Sequence, residues 1–368
     1  MNKIIIILPS LETVSPVRAA LSLIKGLVSK YRIYVVSVNS DMSKSNSIKN
    51  DLKMLNIEYK FLNCNGLKNI FLAKNELQKI IDNSNPDIIL SYLLRPDLIV
   101  SMIKTKAKKI SSIRNMIEHE YIISHGLLIG KLFGFFHKLA LKRFDKLIVM
   151  SEDMKKYFID NQFKSKDLEL IHNSLDEKDL ELKSTEIVKS PFLNDLPTLI
   201  TISSLIKRKN ISLLLNTSIE LLSQGYKFNI LIIGDGADKD NLINIINNSK
   251  YKNNFHFLGH VSNPIPYLIN ANIFIMTSIS EGVSRSLMEA LYLGKTCIIS
   301  NIDGNRELIK DGENGYLFSD KIMLKTIIAE QLVDGLKVKE NLLLKEFRYN
   351  ISINKHKELF KNIYKEKI

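Results

Sequence analysis

Short runs of apolar, mostly β-branched residues recur along this chain, separated by longer stretches in which apolar positions return every three or four residues. The first run is Lys3 to Leu8, followed by a helical period over Val14 to Ser29 and a second run over Ile33 to Val38, which is a βαβ opening. The rhythm continues with strands predicted at Ile57 to Phe61, Asp87 to Tyr92, Lys109 to Ile113 and Lys146 to Met150, bounded by turn or capping residues such as Pro86 and Ser151. Alternation of this kind predicts a parallel sheet covered on both faces.

Between Glu177 and Leu196 the periodicity fades into charged and polar residues interrupted by Pro191 and Pro197, the pattern of an interdomain linker. A second series follows, with strands predicted at Thr198 to Ser203, Phe228 to Ile233, Asn254 to Leu258, Asn272 to Met276, Thr296 to Ser300 and Tyr316 to Phe318. The domains are therefore expected at 1–180 and 196–345, with an amphipathic helix over 346–368 that places His356, Leu359, Phe360, Ile363 and Tyr364 on one face. The pattern leaves open where that helix packs. The fold class is α/β: two Rossmann-like, doubly wound domains facing a central cleft, with the carboxyl ends of both sheets around it.

Composition narrows the picture. A length of 368 residues fits two domains, and 45% apolar content supplies two cores, which excludes a disordered chain. The net charge of +13 favours an anionic partner: nucleic acid, acidic lipid or a phosphorylated substrate. Cys64 and Cys297 stand alone at no zinc or disulfide-framework spacing, which points to a reducing cytoplasm and excludes structural zinc. No apolar run approaches the ~18 residues that span a bilayer, and the run before Pro9 reads as a buried strand, not a signal.

The most informative stretch is TSISEGVSRSLMEALYLGK, residues 277 to 295, which follows an apolar strand. A strand ending in a Glu-Gly loop and then a helix leaves unpaired amides whose dipole favours a phosphate, and Gly282 permits close backbone approach. Glu281 and Glu289 can accept hydrogen bonds from ligand hydroxyls, Glu289 from a diol such as a ribose. The structural alternative is a capping box of Ser286 and Glu289 with Glu281 as a solvated loop acid.

With its neighbours, this stretch resembles the E-x7-E signature of the retaining glycosyltransferases of family 4, which have the two-domain GT-B fold, and more narrowly their bacterial polysaccharide branch. Four segments match in order and spacing: IKRKNISLLL at 206 to 215, IIGDGADKDNL at 232 to 242, FHFLGHVSN at 255 to 263 and DGNRELIKDGENGYLF at 303 to 318. In the N-terminal half only KLIVMSEDMKKYF at 146 to 158 and IHNSLD at 171 to 176 are similar. The resemblance implies that Glu281 contacts the donor sugar, that Gly282, Val283 and Ser284 meet diphosphate and sugar through backbone amides, and that Glu289 binds the ribose. Lys209 falls at the phosphate-binding lysine, where a point charge suits a diphosphate gaining charge as the sugar leaves, and His260 and Val261 lie in the base-binding loop.

The chain also departs from the family. Gly-Arg usually precedes the phosphate lysine, whereas this chain has Ser203 and Ser204; Ser204 is kept as a donor-site candidate, with Lys207 or Arg208 as substitute cations. The loop PSLETVSPVRAA at 9 to 20 lacks the usual Gly-Gly, although Ser15 as cap and Pro16 in the first turn can start a helix. Where many members have a histidine after the fifth strand, SSIRNMIEHEY offers Arg114 or His119 as the catalytic candidate.

Between Arg95 and Lys146 there are eleven Lys and Arg against four Asp and Glu. Within that span GLLIGKLFGFFHKLALKRF at 126 to 144 mixes Phe133, Phe135, Phe136 and Phe144 with Lys131, Lys138, Lys142 and Arg143, as either a helix on an anionic membrane or a core helix with a wet face. Nucleic acid is not expected, since no helix-turn-helix, ribonucleoprotein or zinc-finger signature accompanies the charge. The expectation is a cytoplasmic enzyme, peripheral at the inner face of the cytoplasmic membrane. It would move a sugar from a nucleoside diphosphate donor, expected to be a UDP-sugar, to a glycan or polyprenyl-linked saccharide of a capsule, O-antigen or similar polymer. Resemblance implies retention, front-face transfer and no metal or other cofactor. The alternatives are a nucleotide-sugar epimerase of the same fold and a non-catalytic subunit.

Overall fold

The structure is a computed structural model that describes residues 2–40, 47–66, 69–114, 117–333 and 341–365, with the side chains of 119, 120 and 124 outside the description. The chain forms two compact units, one ending at Asn173 and resuming at Asn350, the other spanning Ser174–Tyr349.

The first unit is built on seven strands, β1 (Lys3–Leu8), β2 (Arg32–Ser37), β3 (Tyr59–Phe61), β4 (Ile88–Tyr92), β5 (Lys108–Ser112), β6 (Lys146–Val149) and β7 (Leu168–Leu170). They pair in parallel in the order β3-β2-β1-β4-β5-β6-β7, so the order reverses between β1 and β4. Ile4 to Leu8 are fully buried because helices cover both faces, which is why β1 reads as a continuous apolar run. The sequence pattern misses β7, whose three residues hold only one buried side chain, Leu168. The first helix, Ser15–Leu27, has Pro16 in its first turn, but Val14 is the capping residue and no side chain caps it; Ser15 is already helical.

The last helix, Tyr349–Lys365, packs in this unit from Asn350 onward, with Ile353, His356, Leu359, Phe360 and Ile363 buried. Phe360 meets Tyr31 edge-on at 5.9 Å. Two further helices, Ile117–His125 and Leu127–Leu141, fold back on each other about Gly126, whose φ of 80° is readily adopted only by glycine. A methyl group at Gly130 would lie 2.4 Å from the backbone nitrogen of Ile122, so glycine sets how closely this hairpin packs.

The second unit has six parallel strands, β8 (Thr198–Ile202), β9 (Asn229–Ile233), β10 (Phe255–Gly259), β11 (Ile273–Met276), β12 (Thr296–Ser300) and β13 (Tyr316–Phe318). Their order, β10-β9-β8-β11-β12-β13, reverses between β8 and β11. Leu199, Ile230, Ile232, Ile275 and Ile298 join Leu214, Leu215 and Leu221 of helix Ile211–Ser223 in one core. Among the described residues no helix is long and apolar enough to cross a membrane.

Candidate functional site

The carboxyl ends of β8 and β11 lie where the strand order of the second sheet reverses, the usual ligand position in an open α/β sheet. After β8 the chain makes a short 3-10 turn over Lys207–Lys209, then Asn210 adopts a left-handed φ of 48° to enter helix Ile211–Ser223. The Thr277 hydroxyl, just past β11, donates to the carbonyls of Lys209 (3.1 Å) and Asn210 (2.9 Å), and the Ile279 amide donates to Arg208 O (2.9 Å). The two loops are thereby fastened together.

Glu281 lies at the centre. Its Oε1 accepts from Lys209 Nζ and from Ser278 Oγ at 2.8 Å, and its Oε2 lies 3.3 Å from Arg208 Nη1. Burial alone would raise the Glu281 carboxyl, but the Lys209 and Arg208 charges, with hydrogen bonds from Lys209 and Ser278, outweigh it and hold the group below its usual range. Lys207, by contrast, is exposed. Of the two substitute cations, it is therefore Arg208 that stands beside Lys209. Ser278 was not singled out from the sequence, although it precedes Glu281 by three residues.

Gly282, Val283 and Ser284 lead into helix Arg285–Tyr292, and Ser284 is the cap, its Oγ accepting from the Leu287 amide. The capping box of Ser286 and Glu289 does not form. Glu289 instead accepts from Arg285 Nε at 3.0 Å, and Arg285 also approaches Asp179 at 3.5 Å. Gly304 approaches the same loop: a methyl there would lie 2.4 Å from Gly282 O, a constraint the sequence segment at 303 to 318 contained but did not reveal.

Ser204 is exposed on the loop after β8. Gly234 and Gly236 crowd that loop, a methyl at either falling within 2.3 Å of Ser203 O or Leu205 O, so the GDG segment is a packing requirement. The Gly234 amide donates to Gly259 O at 2.8 Å, which brings the half-buried Val261 and exposed His260 to the same end of the sheet. Among the described residues no cluster of three or more His, Cys, Asp or Glu could hold a metal ion.

Arg114 belongs to the first unit, after β5; it donates to Asn173 Oδ1 at 3.0 Å and lies 5.9 Å above the Tyr92 ring. The side chain of His119 lies outside the described residues. Helix Leu127–Leu141 divides its aromatic residues: Phe133 packs on Tyr121 and His125, Phe144 just beyond it is buried, and Phe135 and Phe136 are exposed beside Leu128, Leu132 and Leu139. Lys138 is not a free surface cation, because it pairs with Glu118 (2.5 Å) and Asn161 (2.9 Å). Lys131, Lys142 and Arg143 are exposed.

Residues 183–342 match the family described as glycosyl transferases group 1, and residues 17–179 match Glycosyltransferase Family 4. An O-antigen biosynthesis glycosyltransferase of Escherichia coli is 30% identical over 224 residues, 59% of this chain and 61% of that protein. The chain thus spans about three fifths of the length of that relative. The N-acetylgalactosamine-N,N'-diacetylbacillosaminyl-diphospho-undecaprenol 4-alpha-N-acetylgalactosaminyltransferase of Campylobacter jejuni is 24% identical over 336 residues, 86% of each chain. Among solved structures, HepE of Anabaena in complex with UDP-glucose has a TM-score of 0.80 at 16% identity, covering 98% of this chain and 100% of that one, which shows a shared fold.

Proposed function

We infer the activity of this chain from its family, since it belongs to the group 1 and family 4 glycosyltransferases: it moves a sugar from a nucleoside diphosphate donor to a saccharide acceptor during assembly of a bacterial surface glycan. The observation that carries the reading is the cluster of Lys209, Arg208 and Glu281 at the reversal point of the second sheet. An entering diphosphate draws the two cations toward itself, and Glu281 is released to accept from donor-sugar hydroxyls. Amides of Gly282 to Ser284 meet the sugar and diphosphate, Glu289 is held by Arg285 for the ribose, and Val261 sits beside the base.

The donor is read as a UDP-sugar and the transfer as retaining. The bond from the anomeric carbon to the diphosphate oxygen breaks and a bond to the acceptor oxygen forms on the same face, while the acceptor's proton passes to the departing phosphate. Lys209 and Arg208 take the growing charge, so no metal is required for that task. Arg208 also supplies the second cation at a place other than Ser204, which favours an active enzyme over a non-catalytic subunit.

The acceptor is read as a lipid-linked saccharide, the kind named for the Campylobacter relative. The exposed row of Leu128, Leu132, Phe135, Phe136 and Leu139 beside Lys131, Lys142 and Arg143 supports peripheral contact with an anionic inner membrane leaflet.

The test is a thermal-stability screen of nucleotide sugars, followed by transfer assays of the best donor with lipid-linked acceptors, comparing wild type with Glu281→Ala. Stabilisation by a UDP-sugar and turnover that Glu281→Ala abolishes are expected. Isomerisation of donor alone would make the protein an epimerase, and donor binding without transfer would make it a non-catalytic subunit.

A further inference from the structure

Glu289 stands one turn inside helix Arg285–Tyr292, and the pair it forms with Arg285 runs against the electrostatics of that helix. Arg285 is the first helical residue, a position where the dipole favours an acid and disfavours a cation. An acid four residues before a base is the more stabilising order, and here the base comes first. Helix stability therefore does not account for the pair. Nor is it a loose surface contact, because only 12% of the Glu289 side chain and 23% of the Arg285 side chain are exposed.

Arg285 is shared between two carboxylates. Its Nε donates to Glu289 Oε1 at 3.0 Å, and its Nη2 lies 3.5 Å from Asp179 Oδ2, which also accepts from Lys183 Nζ at 2.5 Å. Glu289 Oε2 accepts no hydrogen bond among the described residues. A guanidinium facing one carboxylate alone tends to take both of its oxygens in a fork. Asp179 draws the Nη2 end aside, so one oxygen of Glu289 is fixed and the other is left as an acceptor.

Asp179 is itself a fixed point. Its helix, Glu177–Lys183, is capped by Asp176, whose side chain accepts from the Asp179 amide at 3.2 Å. The Tyr292 hydroxyl, at the far end of the Glu289 helix, donates to Glu181 Oε1 at 2.7 Å. Asn263 Nδ2, just beyond Val261, donates to Lys183 O at 2.9 Å. One short helix thus ties the helix of Glu289 to the loop of Val261, and all of these residues belong to the second unit.

We propose that Asp179 is a positioning residue for ribose recognition. By holding one end of Arg285 it keeps Glu289 Oε2 open to a ribose hydroxyl, and so sets the preference of the site for a ribonucleoside diphosphate over its deoxy counterpart. The proposal rests on the reading of Glu289 as the ribose acceptor.

Calorimetry of the full chain with UDP and with 2′,3′-dideoxy-UDP tests it, the ratio of the two affinities being the quantity read. The wild type should prefer UDP by about tenfold or more, the value of a hydrogen bond to a charged group, and Glu289→Ala should remove that preference. Asp179→Ala should weaken UDP about three- to tenfold and leave dideoxy-UDP unchanged. With Arg285→Met already in place, Asp179→Ala should have no further effect on the ratio, because it acts through the guanidinium. If Asp179→Ala does not melt cooperatively, Asp179→Asn, which keeps the shape and removes the charge, carries the same expectations. A ratio that is unchanged or wider, equal weakening of both nucleotides, or an effect that persists beside Arg285→Met overturns the proposal. A preference lost in Glu289→Ala but kept in Asp179→Ala rejects the positioning role and leaves the ribose reading standing. A wild type without the preference, or a preference that survives Glu289→Ala, rejects both.

Discussion

Glu281 is ionised while largely buried, and it stays so because two cations face it, so in this structure Lys209 and Arg208 are stored on a carboxylate that a diphosphate would displace. Lys209→Ala should leave the Arg208 pair intact but weaken UDP binding about ten- to a hundredfold, the value of one charge-assisted contact, as read by calorimetry. Unchanged affinity would end the assignment. His356 provides a separate test of burial. Its desolvation lowers the imidazole to about 4, opposed by the hydrogen bond with the Ser352 carbonyl and aided by the Arg114 charge. The folded value lies below the ordinary 6.5, so the unfolded chain binds more protons in between. The stability from neutral His356 is complete above pH 6.5, declines as pH falls toward 4 and then levels off, by roughly 3 kcal/mol at most. Urea titrations of His356→Leu should lack that decline; a decline equal to that of the wild type would show that another group causes it.

At the scale of elements, the strands that were legible are those buried on both faces, such as β1, apolar at every position after Lys3, and β11, apolar throughout. The turn that carries Glu281 was legible too, because its Glu-Gly pair lies between an apolar strand and a helical period. Contacts set by tertiary approach were not. His137 meets Asp97 across 40 positions and Tyr121 across 16, and no spacing rule marks either pair. The segment 126 to 144 was ambiguous for a related reason: its helix is apolar on two faces, and only packing shows that Phe144 is buried and Phe135 exposed. That packing also changes the membrane prediction. Lys138 supports the fold through Glu118, so the cations to remove are Lys131, Lys142 and Arg143. At about 1 kcal/mol each, their replacement by Ser should cost roughly 3 kcal/mol of attraction to anionic liposomes, and wild-type binding should weaken with salt. Sedimentation that ignores both changes would leave the exposed row without a membrane partner.

For the whole molecule, the chain leaves its first unit after Asn173 and returns at Asn350, so the second unit is an insertion with its own core. Its two ends meet: the Leu175 amide donates to Phe347 O at 3.0 Å, and Leu175 bridges Arg348 as an isolated ladder contact. An inserted domain whose termini already touch loses little chain entropy when cut free, because closure is built into its own contacts. The proposed donor residues, Ser204, Lys209, Val261, Gly282 to Ser284 and Glu289, all lie between those ends. A fragment of residues 174–349 should therefore unfold cooperatively and bind UDP within about tenfold of the full chain, or roughly 1.4 kcal/mol. Circular dichroism melting and calorimetry would read the two properties separately. A fragment that folds but does not bind, from a parent that does, would mean that residues 174–349 do not hold all that nucleotide binding needs.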